Sequence, residues 1–183
     1  METDRLLLNK IEASDAGAIF ELFSSAQVVA YYDLAAFSDM QQAHELIAFF
    51  QARFESGNGI RWAIRSKATK QLLGTCGFNS WSQKMRNAVI GYDLLPAFWA
   101  KGFASEAVGR ICAAAFAGDL SCGALHRIQA DTVPGNIASE RLLKKLGFIE
   151  EGVRRDSGYW KGRYHDLKCF GLLATERNKT RRS

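Results

Sequence analysis

The chain has 183 residues, of which 48% are hydrophobic and 23% charged, so it is long enough to bury a core and too apolar for a disordered protein. Its net charge is +5, but four positive charges lie within residues 177–183, and without them the net charge is +1. No basic stripe interleaved with aromatic residues accompanies this tail, so nucleic acid is not an expected partner. We expect one domain over residues 1–176, followed by a basic tail over residues 177–183.

The cysteine pattern and the apolar runs bear on the cellular compartment. Four cysteines are scattered without a C-x-x-C pair, so we expect reduced core thiols in a cytoplasmic protein, without a disulfide or zinc framework. Residues 1–5 lack the basic-then-apolar order of a signal peptide. The longest apolar runs, such as Ile111 to Ala117, are too short to cross a bilayer, so no membrane partner is expected.

The first half of the chain predicts one strand, two helices and three further strands. The pair Ser14-Asp15 caps the first helix, and Asp39 begins the second, in which apolar residues repeat at helical spacing. The turn Ala68-Thr69-Lys70 joins two strands into a hairpin. The predicted ranges are 5–11, 16–24, 39–56, 60–65, 72–79 and 87–95.

The second half of the chain alternates helices and strands. The strand–helix–strand unit over residues 87–133 predicts two parallel strands at the centre of a sheet, joined by a right-handed crossover. The consecutive hairpins elsewhere predict antiparallel pairing, which gives a mixed α/β layer structure. The predicted ranges are 102–118 and 136–146 for helices, and 125–133, 148–154 and 164–173 for strands.

A first motif, FWAKGFASEA from Phe98 to Ala107, lies where the strand over residues 87–95 gives way to a helix. The apolar run before it ends at Pro96, and a Lys101-Gly102 turn opens a helix of small residues. Such a turn leaves several backbone N–H groups and the positive end of the helix dipole at one spot, which favours binding of a phosphate group. Glu106, near the start of this helix, could complement the helix dipole or could take part in catalysis, and we favour the structural role.

A second motif runs from Asp131 to Gly152. Pro134-Gly135 ends a strand, Asn136 is a natural helix N-cap, and Ser139 lies three residues further on, at the open end of the helix. Gly147 ends that helix at a C′ position.

Together the two motifs resemble the GCN5-related N-acetyltransferase (GNAT) family, and more narrowly the branch that acetylates the N-termini of ribosomal proteins. The closing Tyr164-His165-Asp166 is similar to the same branch, and the predicted element order matches the family over nearly the whole chain. The resemblance implies an α/β fold with a mixed, largely antiparallel sheet of about seven strands and helices on both faces. Two central parallel strands would splay to form an acyl-CoA cleft, with acetyl-CoA as donor and an amine as acceptor.

Carried over residue by residue, the resemblance assigns the binding of the CoA diphosphate to a loop of six residues. Leu94 and Leu95 would pair with the pantetheine amides as an added strand would, and Asn136 and Ser139 match the family's asparagine and serine. Trp99 departs from the usual glutamine or arginine and Ala100 from a frequent glycine, but the expected contacts are mainly to the backbone. The loop residues are Trp99, Ala100, Lys101, Gly102, Phe103 and Ala104.

Acetyl transfer to an amine requires a neutral amine, a donor for the oxyanion and a stabilised thiolate. A backbone N–H near Leu94 can meet the oxyanion, and the Ser139 hydroxyl can either donate to the departing sulfur or simply hydrogen-bond the cofactor. Leu143 stands where many members carry a general-acid tyrosine. Asp93 is the candidate general base, directly or through water, the alternative being a solvated carboxylate at a strand end. No histidine or cysteine spacing supports a metal site.

The acceptor is the least determined part of the site. Aromatic residues of predicted loops could line its pocket or could form hydrophobic lids over the core; they are Tyr31, Tyr32, Trp81, Tyr159 and Trp160. The leading hypothesis is an N-acetyltransferase that acts on the N-terminal α-amino group of a protein, with ribosomal proteins as candidates. A small-amine acetyltransferase (for a polyamine, amino acid or antibiotic), marked by an enclosed acidic pocket, and a non-catalytic acyl-CoA-binding module are the alternatives. Monomer and homodimer both stay open.

Overall fold

The computed structural model describes residues 1–177, and of Arg177 only the backbone. Apart from that backbone, the predicted basic tail over residues 177–183 lies outside the described residues. Within them the strands are β1 (Leu6–Lys10), β2 (Ile60–Ser66), β3 (Leu72–Ser82), β4 (Asn87–Leu94), β5 (Arg127–Thr132), β6 (Ile149–Trp160) and β7 (Arg163–Leu173). The helices are α1 (Ala16–Ser24), α2 (Met40–Glu55), α3 (Phe103–Ala117), α4 (Ile137–Lys145) and the short α5 (Ala174–Arg177).

The seven strands form one sheet in the order β1-β2-β3-β4-β5-β7-β6. Only β4 and β5 are parallel among these neighbours, and their pairing runs from Asn87 opposite Arg127 to Val89 opposite Gln129. Beyond those three pairs the two strands diverge, which opens a V-shaped gap in the middle of the sheet. The predicted mixed, largely antiparallel sheet with two splayed central strands is therefore confirmed.

Helices cover both faces of the sheet because alternate residues of its strands enter two different apolar clusters. On β2, Trp62 and Ile64 point to the cluster that also holds Ala107 and Leu143, from α3 and α4. The intervening Ala63 points to the other cluster, built with α1 and α2. This period of two follows from the pleat of a strand. Since β4 leads directly to α3 and β5 to α4, both helices begin at the edge of the sheet where the gap opens.

The hairpin of β6 and β7 is longer than its sequence predicts. We expect a strand to end at Arg154, whereas β6 continues to Trp160 and a two-residue turn, Lys161-Gly162, leads into β7. Both turn residues have positive φ, 51° and 76°, as in the tight hairpins that follow the natural strand twist. Around Asp156 (φ 48°) the residues are charged and the register shifts. The alternation of apolar residues by which a strand is predicted is therefore missing from this part of β6.

Candidate active site

The loop between β4 and α3 presents a set of backbone donors. Ala100 and Gly102 adopt positive φ, 57° and 80°, and Gly102 is the N-cap of α3 without a side-chain cap. The Gly102 carbonyl accepts from Glu106 N at 3.1 Å, which starts the helical ladder. The N–H groups that precede Glu106 in α3 therefore lack helical acceptors, and together with the helix dipole they form a seat for an anion. The predicted loop residues Lys101, Phe103 and Ala104 lie here.

Arg5 reaches this loop, and the sequence analysis did not find it. Its Nη1 donates to the Lys101 carbonyl oxygen at 3.0 Å, and its Nη2 lies 2.6 Å from Glu106 Oε2. The guanidinium also stacks over the Phe103 ring, 4.5 Å from the ring centroid. A fixed positive charge thus stands beside the anion seat. No local pattern signals this contact, because it joins residues 96 positions apart.

Glu106 anchors the segment before β1 to the first turn of α3. Partial burial alone would raise the pKa of its carboxyl, but hydrogen bonds from Thr3 and Arg5 outweigh this effect and lower the pKa. The Arg5 backbone N–H donates to Glu106 Oε1 at 3.0 Å, and the Thr3 hydroxyl donates to the same oxygen. Glu106 therefore does more than complement the helix dipole, since it fixes the position of Arg5.

The backbone groups of Leu94 and Leu95, at the end of β4, point to opposite sides of the strand. The Leu95 N–H donates to the Leu73 carbonyl of β3 at 2.9 Å, so the alternation of the strand turns the backbone groups of Leu94 toward the gap. The Leu94 carbonyl accepts a hydrogen bond from Trp99 Nε1 at 2.7 Å. Trp99, which stands where the family usually has glutamine or arginine, therefore ties the loop to the end of β4. The N–H of Leu94 is the group this arrangement leaves directed at the gap, as the oxyanion expectation requires.

At the start of α4, Asn136, Ser139 and Tyr92 form one polar group. The Asn136 side chain accepts from the Ser139 N–H at 3.3 Å, which is the predicted N-cap. The Tyr92 hydroxyl donates to Ser139 Oγ at 3.1 Å. Burial raises the pKa of Tyr92, although the hydrogen bond with Ser139 opposes the rise, so Tyr92 keeps its proton at neutral pH. Strand alternation on β4 could have identified Tyr92, since it places either Tyr92 or Asp93 toward the substrate.

Asp93 points into the protein instead. Its side chain is ion-paired with Arg61 of β2, and it accepts from the Thr75 hydroxyl at 3.2 Å. Arg61 also donates to Thr75 Oγ1 at 2.9 Å and to Asn79 Oδ1 at 3.1 Å. Burial raises the pKa of the Asp93 carboxyl, and the facing guanidinium opposes that rise. With 7% of its surface exposed, Asp93 is neither the solvated carboxylate nor a group that lines the cavity. Sequence reasoning did not anticipate the buried partner Arg61.

A cavity of about 540 Å³ occupies the gap and extends toward α2. Of the five aromatic residues predicted for an acceptor pocket, Tyr31, Tyr32 and Trp160 line this cavity. Trp81 and Tyr159 do not: Trp81 packs against the apolar core, and Tyr159 is 64% exposed, with its ring against that of Tyr164 on the hairpin. The residues of the two splayed strands that face the cavity are Val89, Ile90, Gly91, Tyr92, Ala130, Asp131 and Thr132.

Two hydrogen bonds tie the segment from Val29 to Tyr31 to neighbouring loops. The Tyr31 hydroxyl donates to the Gly135 carbonyl at 3.1 Å, and Lys161 Nζ of the hairpin turn donates to the Val29 carbonyl at 2.6 Å. Thr132 lines the cavity at the end of β5, while its hydroxyl oxygen is buried and has no hydrogen-bond partner within residues 1–177.

The charged side chains that line the cavity are equal in number for each sign. They comprise the carboxylates of Asp33 and Asp131 and the guanidinium groups of Arg53 and Arg61. Asp131 is further paired with Arg154 at 2.5 Å. The cavity is therefore aromatic and electrically mixed, not acidic.

Within residues 1–177 the structure shows neither a metal-binding cluster nor a membrane-spanning helix. No group of three or more His, Cys, Asp or Glu side chains there is arranged to hold a metal ion. Across the same residues, no helix combines the length and the hydropathy that crossing a membrane would need.

Comparison with known proteins gives a consistent result. A family model described as an acetyltransferase (GNAT) domain matches residues 5–149. The chain is 41% identical over 173 residues to the uncharacterized N-acetyltransferase YoaA of Bacillus subtilis, covering 94% of this chain and 96% of the relative. The spermidine N-acetyltransferase of Vibrio cholerae, solved with CoA and spermine, has a TM-score of 0.79 at 21% identity, covering 96% of this chain and 99% of that one. The ribosomal-protein-S5-alanine acetyltransferase of Vibrio fischeri has a TM-score of 0.79 at 20% identity, covering 95% and 96%. At these identities the two structures establish the fold.

Proposed function

Because this chain belongs to the GNAT acetyltransferase family, and is therefore an N-acetyltransferase, we propose that it moves the acetyl group of acetyl-CoA to the N-terminal α-amino group of a protein, with ribosomal proteins as candidate acceptors. The observation that carries the proposal is the gap between β4 and β5. An anion seat lies at one side of its mouth, Ser139 at the other, and the acceptor cavity inside. The donor supplies a thioester, whose acetyl group forms a bond to the amine nitrogen as the bond to sulfur breaks.

The residues around the gap fit the groups of acetyl-CoA. The donors of the loop over residues 99–104, with the charge of Arg5, would hold the diphosphate. The Leu94 N–H would donate to the thioester oxygen as it gains charge, and the Ser139 hydroxyl would donate to the sulfur.

The position of Asp93 favours an acceptor that needs no strong base. An α-amino group has a pKa of about 7.7–8.0, so roughly a third of it is neutral near pH 7.5, whereas an alkyl amine with a pKa of about 10.4 is neutral to only about 0.1%. With the Asp93 carboxylate held by Arg61, a site without a dedicated base can still use the first kind of amine. We propose that Asp93 positions Arg61 and does not accept the proton.

The balanced charges of the cavity point in the same direction. A polyamine carries several positive charges and would be drawn to a cluster of carboxylates. Here Asp131 is paired with Arg154 and Arg61 with Asp93, which leaves one carboxylate, Asp33, and one guanidinium, Arg53, among the charged lining residues. The aromatic lining suits the first side chain of a peptide. The observation that favours the second candidate, a small neutral amine, is the cavity volume of about 540 Å³, which is in the range of small-molecule sites.

Release of free CoA thiol from acetyl-CoA, measured against a panel of peptides and small amines, tests this function. Peptides with a free α-amino group should react, and their rate should rise through about pH 8 as that group loses its proton. Spermidine should react poorly. If spermidine is turned over faster than every peptide, the acceptor is a polyamine and not a protein N-terminus. If the protein binds CoA but releases no thiol with any amine, it is a non-catalytic acyl-CoA-binding module.

The remaining features of the chain have modest roles in this proposal. We propose that residues 1–176 suffice for activity, so that deletion of residues 177–183 leaves turnover unchanged. The four thiols suit a reducing compartment, and we place the reaction in the cytoplasm on that ground.

A further inference from the structure

The Tyr92–Ser139 hydrogen bond connects the two walls of the gap. Tyr92 belongs to β4 and Ser139 to α4, the helix that follows β5, and 47 positions separate them in the chain. Both residues line the cavity. Tyr92 packs against the main apolar cluster, so its ring is held while its hydroxyl faces the polar interior of the gap.

This bond decides where the Ser139 proton can point. A serine hydroxyl has one proton to donate and two lone pairs to accept with. Tyr92 Oη lies 3.1 Å from Ser139 Oγ and 3.5 Å from the Ser139 carbonyl oxygen. With its proton donated to the nearer oxygen, one lone pair of Oγ is used and the Ser139 proton is left to another acceptor. A serine in a helix commonly donates to a carbonyl of the preceding turn, but no such bond of the Ser139 hydroxyl is present in residues 1–177. Its proton is therefore available to the gap.

The bond also makes Ser139 a stronger donor. A hydroxyl that accepts a hydrogen bond is polarised and donates a stronger one in turn, especially where the surroundings are poorly solvated. Asn136 holds the backbone N–H of Ser139 at the same time, which fixes the first turn of α4. Because burial raises the pKa of Tyr92, its hydroxyl stays a donor over the whole pH range in which an amine can react.

We propose that Tyr92 is the positioning residue of the leaving-group site: it orients and polarises the Ser139 hydroxyl so that this hydroxyl donates to the departing sulfur. The inference rests on the proposed function. As the C–N bond forms and the C–S bond breaks, the electron pair of the latter stays on sulfur. Sulfur is stabilised by the Ser139 proton, the amine gives its proton to water, and water supplies the proton that completes the CoA thiol. Tyr92 neither gains nor loses a proton. Tyr92 and Ser139 together thus stabilise the leaving group in place of the general-acid tyrosine that many family members carry at the position of Leu143.

Kinetics of four variants and one control separate this role from a purely structural one. Tyr92→Phe removes one oxygen and should lower kcat about tenfold with little change in the KM for acetyl-CoA, and Ser139→Ala should lower kcat about a hundredfold. The double variant should match Ser139→Ala, because Tyr92 acts only through that hydroxyl. Ser139→Thr, which keeps a hydroxyl, should recover much of the loss. Tyr164→Phe, on an exposed hairpin side chain, is the matched control and should leave kcat unchanged.

A binding measurement tests the pair without turnover. A free thiol has a pKa of about 8.5, and a donor that stabilises sulfur as thiolate makes CoA bind more tightly as the pH rises. Titration calorimetry with CoA from pH 7 to pH 9.5 should show this tightening in the wild type, a weaker one in Tyr92→Phe and none in Ser139→Ala. Desulfo-CoA should bind equally at every pH and to every variant.

These measurements distinguish a failure of the inference about Tyr92 from a failure of the proposed function. If Tyr92→Phe keeps the wild-type kcat and the wild-type pH dependence of CoA binding, the inference is wrong while the acetyl transfer stands. If the losses of Tyr92→Phe and Ser139→Ala multiply in the double variant, Tyr92 acts independently of Ser139 and the inference is also wrong. If the wild type releases no thiol with any amine, the proposed function fails, and the pH dependence of CoA binding still decides whether the pair faces sulfur.

Discussion

The Arg5 guanidinium donates a hydrogen bond to the Lys101 carbonyl oxygen at 3.0 Å, so the segment that precedes the first strand holds the loop that begins α3. The same side chain is paired with Glu106 in the first turn of that helix. Arg5 is therefore both a brace for the backbone of the loop and a positive charge next to the donors that would face a diphosphate.

Replacement of Arg5 by Gln should weaken acetyl-CoA binding. We expect a rise in Kd of about tenfold at low ionic strength and a smaller rise in 1 M salt, because screening reduces the contribution of an exposed charge. Calorimetric titration at the two salt concentrations measures this. Arg155→Gln, on the exposed face of β6, removes the same charge elsewhere and should leave the Kd unchanged. A loss of affinity that is equal in both variants would mean that only the net charge matters.

Gly102→Glu should abolish acetyl-CoA binding, because it places a carboxylate among the donors of the anion seat. The other end of α3 provides a matched control, since Gly118 has φ 84° against 80° at Gly102. Gly118→Glu therefore carries similar backbone strain, of the order of 1 kcal/mol, far from the seat. We expect both variants to lose thermal stability and only Gly102→Glu to lose binding, as measured by melting and calorimetry. Retained affinity in Gly102→Glu would exclude this loop as the diphosphate site.

Asp93→Asn should destabilise the fold strongly. It leaves the Arg61 guanidinium buried without its counter-charge, and breaking a buried ion pair in this way costs about 3–5 kcal/mol. Urea denaturation gives the free energy of unfolding. The partly exposed pair of Arg127 and Glu151 serves for comparison, and Glu151→Gln should cost at most about 1 kcal/mol. A stable Asp93→Asn protein whose rate no longer responds to pH would instead identify Asp93 as the general base.

Acid should loosen the contact between Arg5 and the start of α3 through Glu106. The carboxyl has a pKa below its ordinary value of 4.5 in the folded protein, so the folded state favours the charged form. Its contribution to stability is thus complete above pH 4.5 and is lost as the pH falls from there through the folded pKa. In denaturation curves from pH 7 to pH 3, Glu106→Gln should start less stable and show a shallower loss. Parallel curves for the wild type and the variant would refute this linkage.

Local signals account for the parts of the fold that the sequence predicts well. The first helix has its predicted bounds, 16–24, because its apolar periodicity depends on residues a few positions apart. The Lys101-Gly102 turn likewise leads into α3, and Asn136 caps α4 by accepting from the Ser139 N–H, both as predicted. These features depend on residues a few positions apart. The predicted Ser14-Asp15 cap is wrong: Asp15 makes no side-chain cap bond to this helix and is paired with Arg65 of β2 instead.

The contacts that sequence reasoning missed all depend on the assembled sheet. Asp93 meets Arg61 because β3 lies between β2 and β4 and the Thr75 hydroxyl touches both side chains. Tyr92 reaches Ser139 only because the crossover sets α4 beside the splayed end of β4. Each pair joins residues far apart in the chain, so neither propensity nor spacing can reveal it.

The identity of the acetylated nitrogen is the result on which the proposed function depends. A peptide with one free N-terminal α-amino group and one internal lysine is incubated with acetyl-CoA and the protein, and the product is fragmented in a mass spectrometer. We predict a single acetyl group, carried by the N-terminal residue, with the lysine unmodified because its amine is almost wholly protonated near pH 7.5. An acetyl group on the lysine side chain, or a peptide that stays unmodified while a small amine is acetylated, would contradict it.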